Sequence, residues 1–392
     1  MFQKMLLRLL FAHVLLTLTA IFGFSSAVSA LAPPDGTVIQ AKGSFKKYFM
    51  LGGRRMKIAD RFTFSELGVK KKDVLFIDRK ELKEIEERDA LKISPPKISG
   101  MFDMHEHYRA GGDTNLYLKV SGALGVAKTI FVPTGMGPDN AGYEEHMAAL
   151  LLEQKKHPKR VIAFCSVNEA DPEAPKIFEK CLKDGGRGLK LLVGHPNFYD
   201  VPIDSDIMKQ LFEAARKHDV PVMVHISIIT NPKAKEEFKR LLDEFPDVRV
   251  QFAHYCSTIY DGINLDQCAE FLDAYPNLFI DLSMGGGILR YFKYMTEPGG
   301  LEKIKNFLVK YQDRIFYGTD IILQKSGPAS DPKWLRSRAM CDFSLHQEKW
   351  YRCPVMNQKG EYALLPGFEF SEDILRKLYI ENPRKFLKLN EK

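Results

Sequence analysis

The chain has 392 residues, 45% hydrophobic and 27% charged, with 57 Lys and Arg against 50 Asp and Glu and six cysteines. These values exclude wholesale disorder, collagen and a coiled coil, and the length suits two ordinary domains or one large α/β barrel with appendages. The net charge of +7 is mild and no zinc-finger or RNP-type motif accompanies it, so nucleic acid is not an expected partner.

The first thirty residues read as an export signal. Lys4 and Arg8 make a basic start, Leu9 to Phe24 is an apolar run, and Ser25 to Ala30 is made of small residues. Val28 and Ala30 stand where a signal peptidase reads, which places the cut after Ala30. The run is shorter than the ~20 residues that span a bilayer comfortably, and His13, Thr17 and Thr19 soften it. No later stretch approaches membrane length. The expected mature protein is exported, periplasmic or secreted, with no transmembrane segment.

Residues 31–99 form an N-terminal appendage punctuated by Pro33-Pro34, Gly52-Gly53 and Pro95-Pro96. Within it, Val74 to Asp78 reads as a short strand and Lys80 to Ala90 as a charged, exposed helix. Residues 33–74 carry ten bases and four acids. The positive charge therefore belongs to the leader and the appendage, and a solvated basic face or contact with an acidic surface accounts for it.

After Gly100, apolar runs of strand length alternate with helical patterns. The strands are expected at Met101–His105, Thr129–Pro133, Val161–Val167, Gly188–Val193, Pro221–His225, Arg249–His254, Leu278–Leu282 and Arg314–Gly318. Helices are expected near 115–124, 143–157, 172–184, 204–218, 232–245, 264–275 and 299–311. The strands are rich in Val, Ile, Leu and Phe with little alternation, as in strands buried on both faces. Eight strand–helix units in one run give a (β/α)8 TIM barrel over residues 100–392. An insertion follows the eighth strand, about 323–370, and offers a lid or a contact for a homo-oligomer. A final helix runs from Glu372 to Leu387.

In such a barrel the C-terminal strand ends face the active site. Strand one ends Asp103-Met-His105-Glu-His107, strand five in His225, strand six in His254 and strand eight in Asp320. His105 and His107 are two apart and share a face. Two imidazoles, a third from another strand and a carboxylate make a nitrogen-and-oxygen set suited to Zn²⁺ or another divalent ion, with room for a water. Asp103, two before His105, reads as an orienter of an imidazole on that face or as an ordinary strand residue. Arg109 follows the histidine pair and can hold an anionic group. His195 starts the loop after strand four, and Tyr108 and Tyr255 flank site histidines. His146, His157, His218 and His346 read as surface or core residues.

The segments Phe102 to His107, Val224-His225, Ala253-His254 and Gly318-Thr-Asp320, with the closing stretch Ser371 to Leu387, resemble the amidohydrolase superfamily, in its amidohydrolase-related branch, over about Ile98 to Leu389. The resemblance implies that His105, His107 and His225 bind one metal ion, with Asp320 as fourth ligand or as the base for its water. It implies that His254 hydrogen-bonds the nucleophile and polarises the substrate, with ligation of a second metal as the alternative. Lys190 on strand four is expected to contact substrate or form a buried ion pair; in binuclear members a lysine at this strand bridges two metals. The implied reaction is hydrolysis of an amide, imide, ester or lactone bond of a small molecule. Non-oxidative decarboxylation of an aromatic or unsaturated acid is the alternative, and a non-catalytic, exported metal-binding barrel is a further one.

A chain of this length does not need a disulfide framework. Cys165, Cys181, Cys256 and Cys268 are expected as parts of barrel elements, with Cys256 structural. Cys341 and Cys353, twelve apart in the insertion, are a candidate pair in an oxidising compartment, and the sequence leaves open whether they join.

Overall fold

The computed structural model describes residues 33–133, 142–193, 201–226, 228, 231–257, 264–283, 294–295, 297–354 and 362–389. The export signal expected over residues 1–30 and His195 lie outside the described residues. The chain divides into two units, one ending at Ser94 and one starting at Pro95.

The first unit is a five-stranded sheet: β1 (Val38–Ala41), β2 (Lys47–Leu51), β3 (Arg54–Ile58), β4 (Leu75–Ile77) and β5 (Glu87–Leu91), ordered β4-β1-β2-β3-β5. Gly52 and Gly53, with φ of 59° and 68°, make the tight β2–β3 turn. The Asp35 carboxylate caps that turn by accepting both glycine N–H groups at 2.7 and 3.1 Å. Ile39, Tyr48, Met50, Ile77 and Ile85 form the unit's core. The helix expected over Lys80–Ala90 is shorter than the sequence suggests. Arg79–Glu84 is helical, and Glu87–Leu91 is instead a strand beside β3. Opposite charges favour that pairing: Arg54 meets Glu86 and Arg55 meets Glu87, each at 2.8 Å.

The second unit is the TIM barrel. Its strands are β6 (Met101–Tyr108), β7 (Val126–Pro133), β8 (Val161–Ala163) continued by β9 (Cys165–Ser166), β10 (Leu189–Leu191), β11 (Val222–Val224), β12 (Val250–Phe252), β13 (Leu278–Asp281) and β14 (Ile315–Phe316). All eight expected strands are present, the third being interrupted at Phe164. Neighbours pair in parallel from β6 to β8 and from β9 to β14. The Phe164 N–H donates to Phe131 O at 3.0 Å and the Cys165 N–H to Gly188 O at 2.8 Å, which joins the two runs. The Met104 N–H donates to Tyr317 O at 2.9 Å, which ties the last strand to the first. Phe102, Met104, Ile130, Val132, Phe164, Met223, Phe279 and Phe316 pack with Phe386 of the closing segment into one core.

Helices follow the strands as expected, including Thr114–Ala123, which Asp113 caps by accepting the Leu116 N–H. The closing helix runs from Glu372 to Phe386 as expected and contains a π turn over Lys377–Glu381. The segment after strand eight is not a free lid. β15 (Ile322–Leu323) pairs with His107 and Tyr108 of β6. Helix Pro332–Gln347 is buried at every position from Arg338 to Gln347, which is the signature of a core helix. It is followed by the hairpin β16 (Trp350–Pro354) and β17 (Tyr362–Pro366).

All six cysteines are paired, as Cys165–Cys181, Cys256–Cys268 and Cys341–Cys353. The last pair is the candidate that the sequence raised and left open. The first two go beyond the sequence reading, which took these four only as parts of barrel elements. Each ties the end of a strand to the helix that follows it, a proximity that spacing alone does not reveal.

Candidate metal centre at the C-terminal ends of the strands

β6 does not alternate regularly. Its pairing with β7 shifts register between Asp103 and Glu106, and such a shift puts residues three apart on one side. The Tyr117 hydroxyl accordingly lies 3.0 Å from the Asp103 carboxyl and 3.1 Å from that of Glu106. Thr319 Oγ1 and the Ile321 N–H donate to Glu106, the latter at 2.7 Å. Asp103 therefore does not orient an imidazole. It belongs with Glu106 to a buried carboxyl pair, in which burial pushes Asp103 up to about 6 and Glu106 well above the usual carboxylate range.

His105 and His107 occupy the other side. His107 Nε2 is 2.9 Å and His105 Nε2 3.8 Å from the same Asp320 oxygen. These three residues offer ligand atoms that all lie within 4.8 Å of one another. Asp320 reaches them from a left-handed backbone, φ 56°, with its N–H donating to His105 O at 2.9 Å. Asp is among the few residues that adopt this conformation readily. Burial works to raise the Asp320 carboxyl, but the imidazoles of His254, His107 and His105 outweigh it and hold it well below its usual range.

Lys190 is fully buried, with Nζ 3.3 Å from His105 Nε2 and 3.5 Å from Met223 Sδ. Burial pushes the amine down to about 8, against the pull of Asp281 and Asp320. Burial and the neighbouring Lys190 push His105 down to about 3, and burial lowers His107.

After β12 the backbone turns through three left-handed residues, His254, Tyr255 and Cys256, with φ of 55°, 53° and 60°. Such conformations cluster at functional sites. The Cys256–Cys268 bridge anchors the turn to the next helix. The His254 ring lies 4.9 Å from that of His105 and 4.8 Å from that of His225. His225 is buried against His254 and is not among the three converging donors.

The sequence reading passed over Asp281 and Ser283. Asp281 is fully buried, with Oδ2 3.0 Å from His105 Nδ1, while Ser283 Oγ is 2.8 Å from His254 Nδ1. A signal was present. Leu278-Phe-Ile-Asp-Leu-Ser283 ends strand seven with the same two-residue spacing that flags His105 and His107 on strand one.

The other expected site residues are placed differently. Arg109 donates through Nη1 to Gln324 Oε1 at 2.7 Å. Its Nε and Nη2 are buried with no hydrogen-bond partner among the described residues. Tyr255 is fully buried, and Tyr108 is buried edge-on against Phe131.

Two imidazole nitrogens and a carboxylate oxygen, converging at strand ends, fit a borderline divalent ion such as Zn²⁺ or Mn²⁺. A fold of eight parallel strand–helix units with that donor set defines a class, the TIM-barrel proteins of the amidohydrolase superfamily. The family model described as amidohydrolase matches residues 109–389, and the chain belongs to that family. No curated protein matches the chain. Among solved structures it is similar to a probable 2-pyrone-4,6-dicarboxylic acid hydrolase from Acinetobacter baumannii, crystallised with citric acid. That match has 12% identity and a TM-score of 0.50 over 74% of this chain and 100% of the other. It is also similar to an uncharacterised TIM-barrel protein from Bordetella bronchiseptica, at 16% identity and TM-score 0.51 over 74% and 98% of the two chains. A third is an amidohydrolase from Burkholderia multivorans with bound zinc, at 12% identity and TM-score 0.50 over 74% and 99%. These likenesses bear on the fold.

Proposed function

We propose that this chain is an exported, metal-dependent hydrolase that cleaves an amide, imide, ester or lactone bond of a small molecule. The observation that carries the reading is the convergence of His105 Nε2, His107 Nε2 and Asp320 Oδ1. Those residues would hold one Zn²⁺, and His225 is assigned as the third imidazole. The ion supplies Lewis acidity and a water whose pKa falls toward neutrality. Asp320, held as a carboxylate, accepts the proton that the nucleophile gives up and passes it toward the leaving group. His254 is assigned to hydrogen-bond the nucleophilic water as an acceptor. The Nε and Nη2 edge of Arg109, without a partner among the described residues, matches a substrate carboxylate in a bidentate contact. Lys190 lies too deep for solvent and supports the site from strand four, as a substrate contact or an ion-pair partner. Export is supported by the leader in the sequence and by the pairing of all six cysteines, which suits an oxidising compartment.

Metal analysis of the purified chain, joined to a screen of amides, lactones and aromatic acids, tests the reading. One equivalent of zinc and hydrolysis of a carboxylate-bearing substrate are expected. Release of carbon dioxide from an aromatic acid, without hydrolysis of any amide or lactone, would replace it with decarboxylation. Two equivalents would point to a bridging role for Lys190, and failure to bind any divalent metal would remove the reading.

A further inference from the structure

Hydrogen-bond direction around strand seven settles more than the position of the imidazoles. We propose that Asp281 is a positioning residue that sets the ring tautomers of both His105 and His254, and so decides which nitrogens these rings present to the site. The proposal deepens the metal-centre reading and rests on it for the meaning of the site, but not for the tautomers themselves.

Asp281 ends β13 and is fully buried. Its Oδ2 lies 3.0 Å from His105 Nδ1 and accepts from Gln251 Nε2 at 2.7 Å. Its Oδ1 accepts the backbone N–H groups of His254 and Ser283, each at 3.1 Å, and also the Ser283 hydroxyl. An ionised carboxylate only accepts. Both oxygens already receive donors, the Gln251 amide at Oδ2 and two backbone N–H groups at Oδ1, which leaves the carboxylate to accept from His105 as well. His105 must then carry its hydrogen on Nδ1, which leaves the Nε2 lone pair facing Asp320. The Lys190 amine, 3.3 Å from that Nε2, agrees as a donor to it.

The second ring follows by relay. A serine hydroxyl has a single hydrogen, and that of Ser283 is committed to Asp281. Its oxygen can therefore only accept from His254 Nδ1, 2.8 Å away. The Ser283 backbone carbonyl, 3.1 Å from the same nitrogen, also only accepts. His254 Nδ1 sits between two acceptors and must carry a hydrogen. One carboxylate thus prepares the metal-side ring directly and the neighbouring ring through a serine. The same carboxylate holds the left-handed turn on which His254 stands, through that residue's N–H.

Long-range proton–nitrogen spectra of the full metal-free chain, with histidine labelled in its ring nitrogens, read each tautomer. His105 and His254 are both expected as the Nδ1-protonated form. Asp281→Asn should change both rings, and Ser283→Ala should shift the His254 signals more than those of His105, whose Nδ1 the serine also touches, while the Ser283 carbonyl keeps the His254 hydrogen on Nδ1. Zinc titration adds a second readout. Asp281→Asn should bind about 10–100-fold more weakly than the parent, and Ser283→Ala within about threefold of it. Should Asp281→Asn fail to fold, as its thermal unfolding would reveal, the serine variant still decides. An Nε2-protonated His105 in the parent chain, or spectra of both variants identical to the parent, would overturn the proposal. A parent chain that binds no zinc would instead overturn the hydrolase reading, while the spectra still decide the tautomers.

Discussion

His105 and His346 are both buried imidazoles, and burial pushes both down to about 3. Their surroundings differ. His346 sits in helix Pro332–Gln347, beside the mutually stacked rings of Phe368 and Phe370, each 6.4 Å away, with Nδ1 2.8 Å from the Tyr379 hydroxyl. His105 has Asp281 and Ser283 at one nitrogen, and Lys190 and Asp320 at the other. A depressed imidazole therefore does not identify a site. What separates the two is convergence: other donors with charge and direction aim at the same small volume.

Removing a converging donor should have the largest effect. Asp320→Ala is expected to lower turnover by about 10³–10⁴-fold, measured on the substrate found by the screen. Unchanged turnover with metal present would break the comparison at its centre. His107→Ala is expected to weaken zinc binding by more than about 100-fold in calorimetry. His346→Gln should leave zinc affinity within about threefold of the parent; an equal loss in both variants would mean that burial, not convergence, matters.

The aromatic-packed histidine should show itself in pH instead. Its folded pKa lies below the unfolded value near 6.5. The unfolded chain therefore binds the proton more readily. The stability from this residue is present above about pH 6.5 and is lost as pH falls toward 3. Between pH 7 and 4 the metal-free parent should lose about 3 kcal/mol that His346→Gln does not lose, read from denaturant midpoints. Matching pH profiles would show that His346 is not held neutral. A smaller effect is expected from the bridge beside that helix. Cys341→Ser with Cys353→Ser should cost about 2–3 kcal/mol of stability and leave zinc binding intact, measured by unfolding with and without reductant.

The barrel was legible because each strand–helix unit repeats one pattern of apolar run and amphipathic helix. The imidazoles were legible because histidine at strand ends is conspicuous. Asp281 was not singled out, since an aspartate at the end of an apolar run also reads as a strand terminator. Asp103 was placed on the wrong side because alternation was assumed across a register shift that leaves no mark in composition. The appendage read as irregular because its strands are only three to five residues long. Glu86 and Glu87 looked helical until their pairing with Arg54 and Arg55 was known. Two of the three bridges were hidden for a similar reason, since they depend on which helix returns beside which strand.

The bridges also bear on the order in which the molecule assembles. They join residues only 16, 12 and 12 positions apart, and loops of that size close in well under a microsecond. The hydrogen bond between Met104 and Tyr317, by contrast, joins the two ends of the barrel sequence. An oxidant can therefore lock individual strand–helix units while the chain is still emerging, before the first and last strands have met. Each bridge has its partner close by along the chain, so mispairing is disfavoured from the start. The slow, late event is then closure of an already stapled ring.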